Sequence, residues 1–287
     1  MRILLIGANG QLGSDLTRLL EGHELVATTH QSLDVTDFEQ VGQAARKHQP
    51  QAIINTSAFH KVDLCETEIM PAFEVNAYGV RNLALAAREV DATLYHFSTD
   101  YVFGGGNQRR PFKESHVPEP VNAYGISKAA GERFAAYLWH KSVVIRTCGL
   151  YGHAGSSGKG GNFVEMMLKK AVNGESIKVV EDQRLTPTST LELARKVRDL
   201  LERPEYGLFH ATAAGDCSWF EFAREIFAIE GIPADLSPTT SDAFRSPARR
   251  PAYSVLENAR LKTLGMDDFK DWRDGLREYL KNRPKVR

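Results

Sequence analysis

The stretch Ile3-Leu4-Leu5-Ile6-Gly7-Ala8-Asn9-Gly10-Gln11-Leu12-Gly13 decides the fold. Four apolar residues read as a buried strand, and the segment after the glycines has apolar residues at helical spacing. Between them, Gly7 permits a tight turn, Gly10 lets backbone close on a diphosphate, and Gly13 lets the helix pack against the strand. The helix N-terminus adds free N–H groups and a positive dipole end. Taken as letters, these are three turn glycines; placed between a strand and a helix, they form a dinucleotide cradle with Asn9, Gln11 and Leu12 at its rim.

Outward from this cradle, short β-rich runs alternate with helical stretches. Glu24 to Thr28, Ala52 to Asn55, Thr93 to Ser98 and Val143 to Thr147 read as buried parallel strands. Gln11 to Leu20, Phe38 to Lys47, Pro71 to Arg88 and Ser127 to Trp139 carry the helical spacing of crossovers. The expected class is α/β: a Rossmann-like doubly wound parallel sheet with a smaller interleaved C-terminal substrate lobe. Residues 1–150 are assigned to the dinucleotide-binding domain. Residues 151–287 are assigned mainly to the substrate lobe, with some segments returning to the first domain. A short strand is expected at Ser176 to Val180, and the glycine-rich stretch Gly152 to Gly161 is expected to be the mobile loop.

The totals narrow the partner. Lysine plus arginine equals aspartate plus glutamate at 36 each, so no excess positive charge exists to hold nucleic acid or an anionic membrane. A small-molecule partner is expected. Cys65, Cys148 and Cys217 are far apart without metal-ligand spacing, and the histidines show none either, so no metal site is expected. No apolar run reaches membrane-spanning length, and Met1-Arg2 leads straight into strand, so a cytoplasmic location is expected. A homodimer stays open.

The second strand ends Thr28-Thr29-His30-Gln31-Ser32 without the acid that commonly holds an NAD ribose. NADPH is therefore the expected cofactor, with NADH also admitted, and Asp34-Val35 is expected to flank the adenine.

Tyr124-Gly125-Ile126-Ser127-Lys128 opens a helix, and a spacing of four sets Tyr124 and Lys128 on one face. An ammonium beside a phenol stabilises phenolate and draws its pKa toward the working range, so Tyr124 can deliver a proton to a carbonyl oxygen. Such pairs are common on solvated helix faces. The run Phe97-Ser98-Thr99-Asp100-Tyr101-Val102-Phe103 raises the reading, because it ends a parallel strand where ligands bind. Thr99 can donate to the same oxygen, and Ser98, Asp100 and Tyr101 are expected at the substrate. Asn76, poorly placed in a helix, is expected to anchor a water or backbone carbonyl near Lys128.

Together these residues resemble extended short-chain dehydrogenases and, within them, the dTDP-4-dehydrorhamnose reductase family, across nearly the whole chain. Further marks of that resemblance are Ile54-Asn55 to Glu66 with Val62-Asp63, Val180-Glu181-Asp182-Gln183-Arg184-Leu185-Thr186-Pro187-Thr188 and Ala248-Arg249-Arg250-Pro251-Ala252-Tyr253-Ser254. The resemblance implies that Thr99, Tyr124 and Lys128 are catalytic, that Asn55 to Ala58 border the cofactor, and that the later half holds a nucleotide sugar. It implies reduction of dTDP-4-dehydro-β-L-rhamnose to dTDP-β-L-rhamnose.

One departure concerns the sugar. Many members read Arg-Thr-Ser-Trp where this chain reads Arg146-Thr147-Cys148-Gly149, so Gly149 offers no ring; Tyr101, Phe103 or Phe59 are expected to supply apolar contact instead. A nucleotide-sugar dehydratase would resemble Thr-Asp-Glu where Thr99-Asp100-Tyr101 stands, an epimerase would keep its cofactor bound, and a regulatory subunit would not need an intact Tyr124, Lys128 and Thr99. Arg109, Arg110 and Lys159 are expected to be solvated charges; Arg249 and Arg250 sit together in the family-like run, and of the two Arg250 is expected to meet the diphosphate. His60 is expected to be a hydrogen-bonded loop residue.

Overall fold

β1 (Arg2–Ile6) turns Ile3 and Leu5 to one face of a sheet and Leu4 and Ile6 to the other, and all four are buried. The strand period of two thereby starts both halves of the core at once. The computed structural model describes residues 1–154, 161–203, 205–244 and 246–283.

From β1 the chain runs through α1 (Gln11–Leu19), β2 (Glu24–Thr28), α2 (Phe38–His48) and β3 (Ala52–Asn55). Two short helices, α3 (Val62–Cys65) and α4 (Ile69–Phe73), lead by a π turn at Glu74–Tyr78 into α5 (Gly79–Glu89) and β4 (Thr93–Thr99). A 3₁₀ turn at Asp100–Val102 and a long loop precede α6 (Ala123–Leu138), β5 (Ser142–Thr147) and β6 (Leu150–Tyr151). The later half holds α7 (Phe163–Val172), β7 (Ile177–Val180), β8 (Arg184–Leu185), β9 (Thr188–Ser189), α8 (Thr190–Glu202) and β10 (Gly207–His210). It ends with β11 (Cys217–Ser218), α9 (Trp219–Glu230), β12 (Leu236–Thr239), α10 (Ser241–Phe244), α11 (Ala259–Thr263) and α12 (Trp272–Asn282).

The main sheet has six strands in the order β10-β5-β4-β3-β1-β2, and its pairings are parallel. Ile3 and Leu5 pack with Leu12 and Leu16 of α1 and with Leu193 and Val197 of α8. Leu4 and Ile6 pack with Val41 of α2 and with Val80, Leu83 and Ala84 of α5. Helices thus cover both faces, as a parallel sheet requires. The strand order reverses at β1, so a crevice opens beyond the carboxyl ends of β1 and β3.

A second core joins Val164 and Leu168 of α7, Val179 of β7, Phe222 and Ile226 of α9, and Trp272 and Leu276 of α12. The chain leaves this lobe to add α8 and β10 to the main sheet.

Two helices differ from their sequence reading. The helix expected over Pro71 to Arg88 starts at Ile69 and is broken by the π turn, which sets Asn76 inward and fully buried. α6 starts at Ala123 rather than Ser127, because the Asn122 side chain accepts from Gly125 N at 2.8 Å and caps the earlier turn. Tyr124 therefore stands in the first turn of α6. Within the glycine-rich stretch expected to be the mobile loop, residues 155–160 lie outside the described residues, as does Lys159.

Candidate active site

A cleft of about 1660 Å³ runs from the end of β1 to the lobe and is lined by the residues expected at cofactor and substrate, Asn55 and Phe103 excepted. Gly7 turns out of β1 with φ +78°, and a Cβ there would stand 2.7 Å from Thr56 Oγ1. A Cβ on Gly13 would stand 2.1 Å from the Gly7 carbonyl oxygen, so only hydrogen fits between helix and turn. Gly10 precedes α1 with no side-chain cap among the described residues, which leaves the first-turn N–H groups of α1 without helical partners. That cradle fits a diphosphate. Asn9 and Leu12 line it, while the Gln11 side chain accepts from Gly152 N at 2.9 Å and ties it to the lobe.

Beyond the cradle, His30, Asp34 and Val35 border the cleft on one side and Thr56 to Ala58 on the other. Burial opposes ionisation of Asp34, but hydrogen bonds from Thr36 and the nearby His30 hold its carboxyl below the ordinary range. The donors at the strand end bond each other, Thr29 N to Ser32 Oγ at 2.9 Å.

At the end of β4, Thr99 Oγ1 accepts from Tyr101 N and donates to Asp100 Oδ1, each at 3.1 Å. Tyr124 reaches the same spot from α6, its ring 5.9 Å edge-on from Tyr101. Burial pushes the Tyr124 phenol up, the Asp100 carboxyl adds to this, and the Thr99 hydroxyl partly offsets it. This corrects the expectation that Lys128 draws the phenol down: burial dominates. Lys128 is itself buried and donates from Nζ to the Phe97 carbonyl at 2.6 Å. Burial lowers its ammonium to about 8, with Glu132 opposing.

Asp100 is buried, and burial raises its carboxyl against hydrogen bonds from Ser254, Cys148 and Thr99; the Ser254 hydroxyl donates at 2.6 Å. Ser98, expected at the substrate, instead donates from its hydroxyl to Glu132 Oε1 at 2.5 Å. Strand alternation turns its side chain toward α6.

Asn76 fixes backbone as expected, though at Phe59 rather than beside the lysine amine. Its Oδ1 accepts from Phe59 N at 2.9 Å, and its Nδ2 donates to Phe59 O and to Ser127 Oγ, each at 3.0 Å. His60 Nδ1 lies 3.3 Å from the Ala58 carbonyl. Arg250 lines the cleft and pairs with Asp63, Nη2 to Oδ2 at 3.0 Å, and also bonds Ser246. Burial works against the Asp63 charge, but bonds from Arg250 and Ser246 hold its carboxyl below the ordinary range. Arg109, Arg110 and Arg249 are exposed and do not border the cleft.

Tyr101 and Phe59 line the cleft, but Phe103 does not: it is fully buried and stacked on Phe112 at 4.2 Å. Gly149 has φ +54°, and a Cβ there would lie 3.1 Å from Leu185 Cδ1 and 3.2 Å from Pro187 Cα. A ring at that position needs a different backbone.

Sequence reasoning missed the far end of the cleft, where Phe163 and Trp219 stand with ring centroids 4.6 Å apart beside Lys169 and Asn173. Phe163, Lys169 and Asn173 belong to α7 and its C-cap and Trp219 to α9, and they carry no motif. Among the described residues no group of three or more His, Cys, Asp or Glu could hold a metal, and no helix is long and apolar enough to cross a membrane.

A parallel doubly wound sheet with a glycine cradle and a tyrosine–lysine pair at one crevice defines an extended short-chain dehydrogenase/reductase. Residues 1–284 match the family described as "RmlD substrate binding domain", and the chain belongs to that dTDP-4-dehydrorhamnose reductase family. The spore coat polysaccharide biosynthesis protein SpsK of Bacillus subtilis (strain 168) is 37% identical over 284 residues, 98% of each chain. The crystal structure of a dTDP-4-dehydrorhamnose reductase from Clostridium acetobutylicum matches with TM-score 0.93 and 41% identity, covering 98% of this chain and 99% of that one. The dTDP-4-dehydrorhamnose reductase of Bacillus anthracis, solved in complex with NADP, matches with TM-score 0.93 and 36% identity over 98% of both chains.

Proposed function

We propose that this protein reduces the 4-keto group of a nucleotide-linked 6-deoxyhexose with NADPH, turning dTDP-4-dehydro-β-L-rhamnose into dTDP-β-L-rhamnose. The observation that carries this reading is the continuity of one cleft, from the glycine cradle past Thr99 and Tyr124 to the aromatic pair in the lobe. Its volume of about 1660 Å³ leaves room for a dinucleotide and a nucleotide sugar together. The names of the related reductases and the NADP in the Bacillus anthracis structure support it.

NADPH, when bound, supplies the hydride. Gly7, Gly10 and Gly13 with the first turn of α1 would hold its diphosphate, Asp34 and Val35 would flank the adenine, and Ala58 and Lys128 would border the nicotinamide half. Tyr124 holds a proton on Oη at neutral pH, because burial and Asp100 disfavour the phenolate. An alkoxide forming at sugar C4 is a stronger base than a phenolate, so that proton runs downhill to the oxygen. Thr99, turning its one hydroxyl proton from Asp100, donates a hydrogen bond to the same oxygen as charge develops there.

Residues 151–287 are assigned mainly to the substrate. Phe163 and Trp219 offer flat surfaces to a base, and Lys169 and Arg250 offer charge to a diphosphate. Tyr101 and Phe59 would face the sugar in place of a ring at Gly149. Three separated, buried free thiols support a reducing, cytoplasmic setting.

The test is NADPH absorbance with dTDP-4-dehydro-β-L-rhamnose, with product configuration read by NMR. Consumption of NADPH with formation of the rhamno product is expected. A protein that binds NADPH but oxidises it with no dTDP-4-ketosugar overturns the reading.

A further inference from the structure

We propose that His96 is a positioning residue for this reduction: it is held in one ring tautomer whose Nε2–H faces Lys128, so that Lys128 can change charge rather than stand as a fixed cation. The proposal rests on the reductase reading above and adds a residue that no motif marks.

Ser57 fixes the first link, because its backbone N–H can only donate. It donates to Asn55 Oδ1 at 3.1 Å, and the Ser57 hydroxyl donates to the same oxygen at 2.6 Å. Turned the other way, the Asn55 amide would set NH₂ against N–H, so its orientation is fixed. Asn55 Nδ2 then faces His96 Nδ1 at 3.2 Å, and that nitrogen has to accept. His96 is fully buried, and burial together with neighbouring Lys128 pushes its pKa well below the ordinary range, so the ring is neutral. A neutral imidazole has one proton, which is left on Nε2.

Nε2 lies 3.4 Å from Lys128 Nζ. An ammonium offers only donors, so Nε2–H opposes it; a neutral amine has a lone pair that can take the Nε2 proton as a hydrogen bond. The Phe97 carbonyl accepts from Nζ in either form. Burial already lowers the lysine, and the ring contact acts in the same direction.

The groups around Lys128 set the balance. Glu132 acts on the lysine from its own helix and His96 from β4; Tyr124 of α6 and, from the turn after β4, Asp100 and Tyr101 line the same cleft. Arg146 on β5 binds Glu132 and so tempers its pull on the ammonium. Glu66, just past α3, accepts from Ala123 N, the π turn presents neutral Asn76 to Ser127, and α5 packs through apolar residues such as Val80 and Leu83. Asn55 and Ser57 belong to the segment bordering the cleft on the cofactor side, so a contact made there reaches Lys128 through one amide and one ring.

Two measurements test this on the full chain. Two-bond ¹H–¹⁵N spectra of the unmodified protein are expected to show His96 protonated at Nε2 alone; a proton on Nδ1 overturns the proposal. ¹³Cε-lysine spectra, assigned with Lys128→Met, are expected to titrate Lys128 near 8. In His96→Asn, whose carbonyl can accept from an ammonium, that midpoint and the matching limb of the kcat–pH profile are expected to move up by about one unit or more. An unchanged Lys128 midpoint in a folded His96→Asn protein overturns the proposal. If the native lysine titrates as expected while no ketosugar is reduced, the reductase reading falls and the ring–amine contact stands.

Discussion

Glu132 and Arg146 form a two-armed ion pair, Nε to Oε1 at 2.8 Å and Nη2 to Oε2 at 2.7 Å, with both side chains at most 7% exposed. The pair ties α6, which carries Tyr124 and Lys128, to β5, and through Ser98 to the end of β4 beside Thr99. Glu132→Gln would leave the Arg146 charge buried without its counterion, at a cost of about 3–5 kcal/mol. Urea denaturation is expected to show that loss. Glu132→Leu combined with Arg146→Met is expected to recover much of it, because both charges leave together; a double variant as unstable as Glu132→Gln would show that packing, not charge, sets the cost.

Tyr124 is the proposed proton donor and Thr99 its helper, so their variants should separate chemistry from binding. Tyr124→Phe is expected to lower kcat by about 10²–10⁴ while NADPH affinity, read by fluorescence, is kept. Thr99→Val removes one donor to the developing oxyanion and is expected to cost about 10² or more. Full turnover by Tyr124→Phe would remove the acid from this account.

Local signals made the cradle and the first strands legible. Ile3 to Gly13 is contiguous, and its meaning lies in its spacing; Tyr124 and Lys128 are one helical turn apart, and Thr99 is marked by its place at a strand end. What stayed hidden depends on which way a side chain turns or on residues far apart in sequence. Ser98 and Phe103 flank the same strand end as Thr99, but one turns to Glu132 and the other stacks on Phe112. Phe163 and Trp219 meet only because α7 and α9 pack together. His96 left a trace, a polar residue inside the apolar run Leu94 to Phe97, but only the Asn55 amide gives it a role.

His210 sets an acid limb of stability. Burial and the Arg146 charge push its pKa to about 3, against 6.5 for the free side chain. The folded ring therefore refuses a proton that the unfolded chain accepts below 6.5, so stability falls as pH drops from there toward 3. In the fold its Nδ1 serves the carbonyls of Phe112 and Glu257 at 3.0 and 3.1 Å. His210→Gln is expected to be less stable near neutral pH yet to lose less on acidification. Urea midpoints compared at about pH 7 and about pH 5 measure this, and equal slopes in the two proteins would assign the limb to other groups.

Two glycines stand where backbone crosses backbone, and their replacement should damage different steps. A Cβ on Gly13 would lie 2.1 Å from the Gly7 carbonyl oxygen, and one on Gly125 would lie 2.1 Å from the Tyr101 carbonyl oxygen. Neither obstacle is a side chain that can swing aside. Gly13→Ala must push α1 from the cradle, so it is expected to weaken NADPH binding tenfold or more, by roughly 1.4 kcal/mol. Gly125→Ala must lift the first turn of α6 from the end of β4, so kcat is expected to fall more than cofactor affinity, since a small misplacement of Tyr124 suffices. Gly22 has nothing among the described residues within 4 Å of the added carbon, so Gly22→Ala is expected to change stability by less than about 0.5 kcal/mol. Equal effects of all three on NADPH affinity would mean that the cradle does not depend on close approach at Gly13, and the diphosphate would then have to be placed elsewhere in the cleft.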